Sequence, residues 1–260
     1  MSQKLFAFDI DGTLLDSNKN PLPSTKKALN ILKEAGHIVM IATGRSRYLA
    51  EEVITDLGFD NYILCNGSAA FIKEEQVYKR LLPKEELLAF LDEAHSMQID
   101  TSFVGLDASK RSTTFNPEDM EEAMNSFGST TPDLEPEFVH NEDVYQALAF
   151  YDASYENFFD DKYQELSFVR WHGKCVDVIP KGGSKAATIL EVAEQLGLSK
   201  EDVISFGDGM NDREMLQMSG TGVAMGNASE EVRGYANMIT DDNDSDGIWK
   251  ALVKLGFVAE

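Results

Sequence analysis

Short apolar runs recur along the chain, and several stop in the same manner, at small or acidic residues. The segment LFAF at 5–8 runs into Asp9-Ile10-Asp11-Gly12-Thr13, and HIVMIA at 37–42 runs into Thr43-Gly44-Arg45. NYILC at 61–65 leads to Asn66-Gly67-Ser68, the run at 202–206 to Gly207-Asp208-Gly209, and the run at 222–225 to Gly226-Asn227-Ala228. Consecutive apolar positions of this length fit strands buried on both faces. Between them lie helical periodicities. The segment 23–36 carries Leu29 and Leu32 on one face, Ser24 or Thr25 placed to cap its start, and Gly36 as its stop. Further helices are expected at 46–57, 186–196, 213–218, 230–236 and 248–255. Strand, loop and helix repeated in this order predict a parallel sheet with right-handed crossovers.

The rhythm changes in the middle third. A helix is expected at 83–98, strands at 101–104 and 112–115, a helix at 117–127, a strand at 144–151 and a helix at 155–163. The segments 166–172 and 174–179 form a hairpin around Gly173. Alternation of this kind describes an α+β unit with antiparallel pairs, inserted into the α/β frame. The Asp/Glu/Pro-rich segment 130–142 is expected to be an exposed, mobile loop. The resulting division is a core at 1–81 and 185–260 around an insertion at 82–184.

Charge narrows the functions available. A formal net charge of -22 opposes binding to nucleic acid or anionic membranes, because phosphate backbones reward Lys and Arg. The middle third alone holds 21 acids against 6 Lys and Arg between residues 82 and 180. No run reaches the length of a membrane span and the N-terminus lacks a signal-peptide pattern. The two cysteines, Cys65 and Cys175, each lie in an apolar run and are expected as buried free thiols, which places the protein in the cytoplasm.

Ligands of open α/β sheets bind at the carboxyl ends of the strands. Those ends here bear Asp9, Asp11, Thr43, Asp208 and Asp212, and Lys185 opens a helix after Gly182-Gly183. In this order the loops resemble the four motifs of the haloacid dehalogenase (HAD) superfamily. Asp9-Ile-Asp11-Gly-Thr-Leu-Leu is similar to the first, Thr43-Gly-Arg to the second, Lys185 to the third and Gly207-Asp-Gly-Met-Asn-Asp212 to the fourth. The strings VDVIPKGGSK (176–185), GVAMGNA (222–228) and SDGI (245–248) are similar to the Cof-type subfamily of sugar-phosphate and related phosphatases. The resemblance implies a doubly wound α/β core with an inserted type-2 α+β cap.

The residues support matching chemistry. Asp9 is a candidate nucleophile, since carboxylates form aspartyl-phosphate intermediates. Asp9 and Asp208, with Asp212 directly or through water, offer the hard oxygens that Mg²⁺ prefers. Asp11 faces the same side as Asp9 if the strand continues, placed to protonate the leaving alcohol and then activate water. The family resemblance adds its main-chain carbonyl as a metal contact. Thr43 and the amides of Gly44 and Ile10 are placed to hold phosphate oxygens, with Lys185 and Asn211 completing the clamp. Arg45 and Asn66 are candidate substrate contacts. Asp242, Asp244 and Asp246 match the first half of an EF-hand loop, but its twelfth position is Val253 where Glu is required. A capping loop is the better reading.

The expectation is a Mg²⁺-dependent phosphatase of small phosphorylated metabolites, its cap closing over the site and selecting the leaving group. The acidic cap favours a leaving group that is neutral or cationic. Nothing in the sequence implies a protein partner. Two other functions stay open on these residues: a phosphomutase on the same core, and a non-catalytic phosphometabolite-binding regulatory protein.

Overall fold

A computed structural model describes residues 2–259, which divide into two compact units. The first comprises residues 2–44, 51–78 and 184–259; the second comprises Arg45–Ala50 and Lys79–Gly183. Residues 45–50 thus group with the stretch that starts at Lys79.

The first unit holds strands β1 (Leu5–Phe8), β2 (Ile38–Ala42), β3 (Tyr62–Leu64), β4 (Ala69–Ile72) and β5 (Glu75–Lys79, whose last residue belongs to the second unit). The second unit holds β6 (Asp100–Val104), β7 (Ser109–Arg111), β8 (Asp133–Leu134), β9 (Gln146–Phe150), β10 (Leu166–His172) and β11 (Cys175–Pro180). The chain then returns to the first unit with β12 (Val203–Gly207), β13 (Thr221–Ala224) and β14 (Met238–Ile239).

The core sheet has the order β14-β13-β12-β1-β2-β3-β4-β5. It is parallel from β14 to β3, and β4 runs antiparallel to β3. The hairpin of β4 and β5 is therefore a departure from the all-parallel expectation. Its turn residues Lys73 and Glu74 both have positive φ, 50° and 66°. That backbone is usually signalled by Asn-Gly, which this turn lacks.

Both faces of the core sheet are covered. Leu5, Ala7, Met40, Ala42 and Ile63 pack with Ile189, Val192 and Ala193 of α6 (Lys185–Gln195). Alternation turns Phe6 and Phe8 to the opposite face. There Phe6 meets Phe257 edge-on at 4.9 Å and Phe8 stacks on Phe206 at 4.7 Å. Phe6, Phe8 and Phe206, wholly buried, each contribute roughly 1.5–3 kcal/mol relative to an exposed ring. This is the doubly wound arrangement, and it fixes β1 and β12 side by side with Phe8 opposite Phe206. Asp9 and Asp208 leave the sheet from that pair.

The second unit is a six-stranded sheet, β10-β11-β9-β6-β7-β8, antiparallel except where β7 meets β8. Three local expectations change here. The strand expected at 112–115 lies at 109–111 instead. Buried Asp100 accepts hydrogen bonds from Thr113 Oγ1 and from the amides of Phe115 and Asn116, so this segment bonds to a carboxylate rather than to a neighbouring strand. The helix expected at 155–163 reduces to a single turn at Ala153–Tyr155, followed by Asn157 at φ 60°. The segment 130–142, expected as exposed loop, contains β8 and a short helix whose Phe138 and Val139 are buried. Both cysteines are buried and neither forms a disulfide. Among the described residues no helix is long and apolar enough to cross a membrane.

Candidate active site

The apolar strand β1 ends because its next residue is charged and the chain then turns. The Asp9 amide still donates to the Phe206 carbonyl at 3.0 Å, extending the ladder by one step. Gly12 at φ 79° then reverses the backbone, and the amides of Thr13 and Leu15 fold back onto the Ile10 carbonyl. The strand therefore does not continue to Asp11, and strand alternation does not set the side on which Asp11 lies. The Asp11 carboxylate instead accepts from Lys19 Nζ at 3.0 Å.

Three carboxylates converge at the ends of β1 and β12. Asp9, Asp208 and Asp212 each offer an oxygen within 4.8 Å of the others. Lys185, the first residue of α6 and 1% exposed, donates to Asp9 Oδ1 at 2.6 Å and to Asp212 Oδ1 at 2.7 Å. Ser184 caps that helix by accepting from the Ala187 amide, which sets the lysine at the helix mouth.

The three acids are held differently. Asp212 Oδ2 accepts from the amides of Asp208 and Gly209, so with Lys185 both its oxygens are engaged. Asp208 is held by Thr13 Oγ1 on one oxygen and by Asn227 Nδ2 on the other, each at 3.0 Å. Asp9 has one oxygen held by Lys185, and Oδ2 takes no hydrogen bond from any described residue. Close packing makes glycine necessary around them. A Cβ on Gly12 would lie 2.3 Å from Asp208 Oδ2, and one on Gly207 would lie 2.6 Å from Asp212 Cβ. Gly12→Ala is expected to cost at least about 1–2 kcal/mol for the left-handed backbone alone, with Asp208 displaced besides. A lowered melting temperature checks this; an unchanged one contradicts it.

Electrostatics follow from that crowding. Three carboxylates facing one ammonium leave two negative charges in a buried site. Burial, and then Asp212, hold the Asp9 carboxyl well above the usual carboxylate range despite Lys185. Burial and Asp212 push Asp208 up to about 7. For Lys185, burial acts downward but Asp212 and Asp9 outweigh it, so the ammonium stays firmly charged. A hard divalent cation fits this donor set in charge and in ligand type.

Thr43 is buried at the end of β2, its amide donating to Ile63 and its carbonyl accepting from the Asn66 amide. Asn66 sits in left-handed backbone, φ 51°, directly after Cys65 at φ 50°. Asn211 Nδ2 donates to Asn66 Oδ1 at 3.0 Å, and a Cβ on Gly44 would meet the Asn66 amide at 3.1 Å. Thr43, Gly44, Asn66 and Asn211 are thus one connected group. Arg45 belongs to the second unit, where its Nη1 donates to the Leu49 carbonyl.

Several site residues were not assigned from sequence. Thr13 and Asn227 orient Asp208, and Asn227 also donates to the Gly12 carbonyl at 2.9 Å. The available signal was position, since Asn227 follows a strand end as Asp208 does. The acidic loop is explained by hydrogen bonding: Asp244 accepts from Ser17, Asp246 from Ser24, and Asn243 donates to the Leu15 carbonyl. Ser24 is thereby committed elsewhere and does not cap its helix, which begins at Pro23 with Leu22 before it.

A doubly wound sheet with a buried acid trio and lysine at its carboxyl edge, interrupted by an α+β unit, defines a class of hydrolase. A family model for haloacid dehalogenase-like hydrolases matches residues 6–252. The putative phosphatase YkrA of Bacillus subtilis is 36% identical over 258 residues, covering 99% of this chain and 100% of that one. Pyridoxal phosphate phosphatase YbhA of Escherichia coli is 30% identical, covering 95% and 97%. The solved structure of the HAD subclass IIB sugar phosphatase BT4131 superposes with a TM-score of 0.87 at 32% identity, covering 98% and 100%. The chain belongs to the haloacid dehalogenase-like hydrolases, as a Cof-type phosphoric monoester hydrolase. HAD phosphatases generally use a metal ion, and the buried acid trio agrees with that.

Proposed function

We propose that the protein is a Mg²⁺-dependent phosphatase of small phosphorylated metabolites that works through an aspartyl-phosphate on Asp9. The observation that carries this reading is the asymmetry of Asp9: buried, one oxygen pinned by Lys185, the other without a hydrogen bond. A carboxylate held in this way is oriented for attack by its second oxygen. Relatives bearing the names of pyridoxal phosphate and sugar phosphatases support a small phosphate ester as substrate.

Asp9, Asp208 and the Asp11 carbonyl would hold the cation, with Asp212 acting directly or through water. Asp212 already receives three hydrogen bonds, which favours the water-bridged role. The cation supplies positive charge against the phosphoryl oxygens. Thr43, Asn211, Lys185 and the amides of Gly44 and Ile10 position the phosphoryl group. Asp9 attacks phosphorus as the ester P–O bond breaks, and Asp11 gives its proton to the leaving alcohol. Water then attacks the phosphoryl group, Asp11 takes the proton back, and Asp9 leaves as a carboxylate with inorganic phosphate. Arg45 and Asn66 are proposed substrate contacts. The test of substrate class is a screen of phosphorylated metabolites with and without EDTA. Chelator-sensitive phosphate release supports the reading, and isomerised sugar phosphate without release contradicts it.

Metal binding has a separate readout. The Asp208 carboxyl titrates near 7 in the metal-free fold against an ordinary value of 3.8. The stability this group contributes is therefore present below about pH 4 and lost as pH rises through about 7. Cation and proton compete for the same carboxylate. Mg²⁺ at about a hundred times its dissociation constant is expected to add about 2.7 kcal/mol at pH 8, and distinctly less at pH 5.5. Melting curves of chelator-stripped protein measure both. A melting temperature indifferent to Mg²⁺ at pH 8 contradicts the assignment.

A further inference from the structure

After β3 the chain turns through three successive residues in the left-handed region: Cys65 at φ 50°, Asn66 at φ 51° and Gly67 at φ 100°. Asparagine and glycine visit that region readily, whereas cysteine does so at a cost. Such a conformation persists only where its surroundings hold it, and it clusters at functional sites. The holds are identifiable here. The Asn66 amide donates to the Thr43 carbonyl at 3.0 Å, and Thr188 Oγ1 donates to the Gly67 carbonyl at 2.7 Å. Thr188 is 2% exposed and stands in α6 one turn after Lys185. A helical threonine commonly returns its hydroxyl to the carbonyl four residues back; this one reaches out of its helix. The approach is so close that a Cβ on Gly67 would lie 2.4 Å from the Ser184 carbonyl oxygen.

The turn carries Asn66, whose Oδ1 receives Asn211 Nδ2 at 3.0 Å. On its other side the Asn211 amide lies against Gly209, where a Cβ would come within 2.7 Å of Asn211 Oδ1. An asparagine amide can offer a neighbour its donor end or its acceptor end, but phosphoryl oxygens only accept. We propose that Thr188 is a positioning residue for Asn211, acting through the left-handed turn. Thr188 pins the Gly67 carbonyl, the pinned turn aims Asn66 Oδ1, and Asn66 fixes the orientation of the Asn211 amide. With one Nδ2 hydrogen on Asn66 and Oδ1 turned to Gly209, the second Nδ2 hydrogen is left for a phosphoryl oxygen. The inference rests on the reading of Asn211 as a phosphate contact given above.

The test uses inorganic phosphate as the probe. Its dissociation constant is to be measured by calorimetry on the full-length protein in excess Mg²⁺. The proteins compared are wild type, Thr188→Val, Thr188→Ser, Asn211→Ala and the double variant Thr188→Val with Asn211→Ala. A hydrogen bond to a charged acceptor is worth about tenfold or more in binding, and Asn211→Ala is expected to weaken phosphate by about that factor. Thr188→Val keeps the shape and removes the hydroxyl, and is expected to weaken phosphate about fivefold. Thr188→Ser keeps the hydroxyl and is expected to bind within about twofold of wild type. In the Asn211→Ala background Thr188→Val should change nothing further, because the group it positions is gone. A threonine with a merely structural role would weaken binding equally in both backgrounds. Unchanged binding in Thr188→Val, or an equal loss in both backgrounds, overturns the proposal. If Thr188→Val does not fold, Thr188→Ala takes its place in the same comparison. If Asn211→Ala binds phosphate as wild type does, the assignment of Asn211 beneath the proposal falls as well. Wild-type protein that takes up no phosphate contradicts the phosphate site and the proposal together.

Discussion

Asp9→Asn is expected to lower turnover on every phosphate ester by about a thousandfold or more, a barrier increase of roughly 4 kcal/mol. The substitution keeps the shape of the side chain and its contact with Lys185, but an amide oxygen is a poor nucleophile and cannot leave as a carboxylate. Folding should not suffer. The Asp9 carboxyl is held well above its usual range by burial and by Asp212, so its ionised form is a burden on the metal-free fold near neutral pH. Removing that charge relieves the burden, and the expected signature is lost activity with an equal or raised melting temperature. Unchanged Mg²⁺-dependent phosphate release in Asp9→Asn would show that the nucleophile lies elsewhere.

The second large effect is on stability. Lys185→Met removes the one ammonium between two buried carboxylates, both at hydrogen-bond distance. Breaking a buried ion pair from one side costs about 3–5 kcal/mol, because the remaining charge keeps its desolvation penalty. At this chain length each kcal/mol lowers the melting temperature by roughly 2–4 °C, so a fall on the order of 10 °C is expected at pH 8. The penalty should shrink as pH falls, because the raised Asp9 carboxyl takes up a proton more readily than an ordinary carboxylate. Adding Asp9→Asn to Lys185→Met should return part of the loss, making the pair non-additive. Strict additivity of the two, with no pH dependence, would mean that these groups do not share one electrostatic site.

The chain announces its strand ends clearly, and the reason is local. Each buried run is continuous in sequence and stops at the residue that leaves the sheet, so Asp9, Thr43 and Asp208 mark the carboxyl edge without further information. The neighbourhood of those residues is another matter. That Thr13 grips Asp208 follows from β12 lying beside β1, a pairing between residues nearly two hundred positions apart, and that Asn227 does so follows from β13 lying on the other side of β12. The turn at Gly12 sends Asp11 away from the line of β1, which a strand extrapolated by alternation could not show. Lys19 stands in an Asn-Lys-Asn turn with no local mark of its long contact. In the inserted unit, the displaced strand after residue 111 traces to Asp100, whose buried carboxylate collects amides that a sequence pattern assigns to a ladder. Legibility failed wherever a polar side chain competed with backbone pairing.

The most direct measurement is chemical trapping. Protein mixed with Mg²⁺ and a cleaved phosphate ester, quenched rapidly in acid and reduced with borohydride, should show substrate-dependent reduction of one side chain in the peptide that contains Asp9, absent from Asp9→Asn. Phosphate release without any trapped modification at Asp9, or modification at Asp11 instead, would contradict the account.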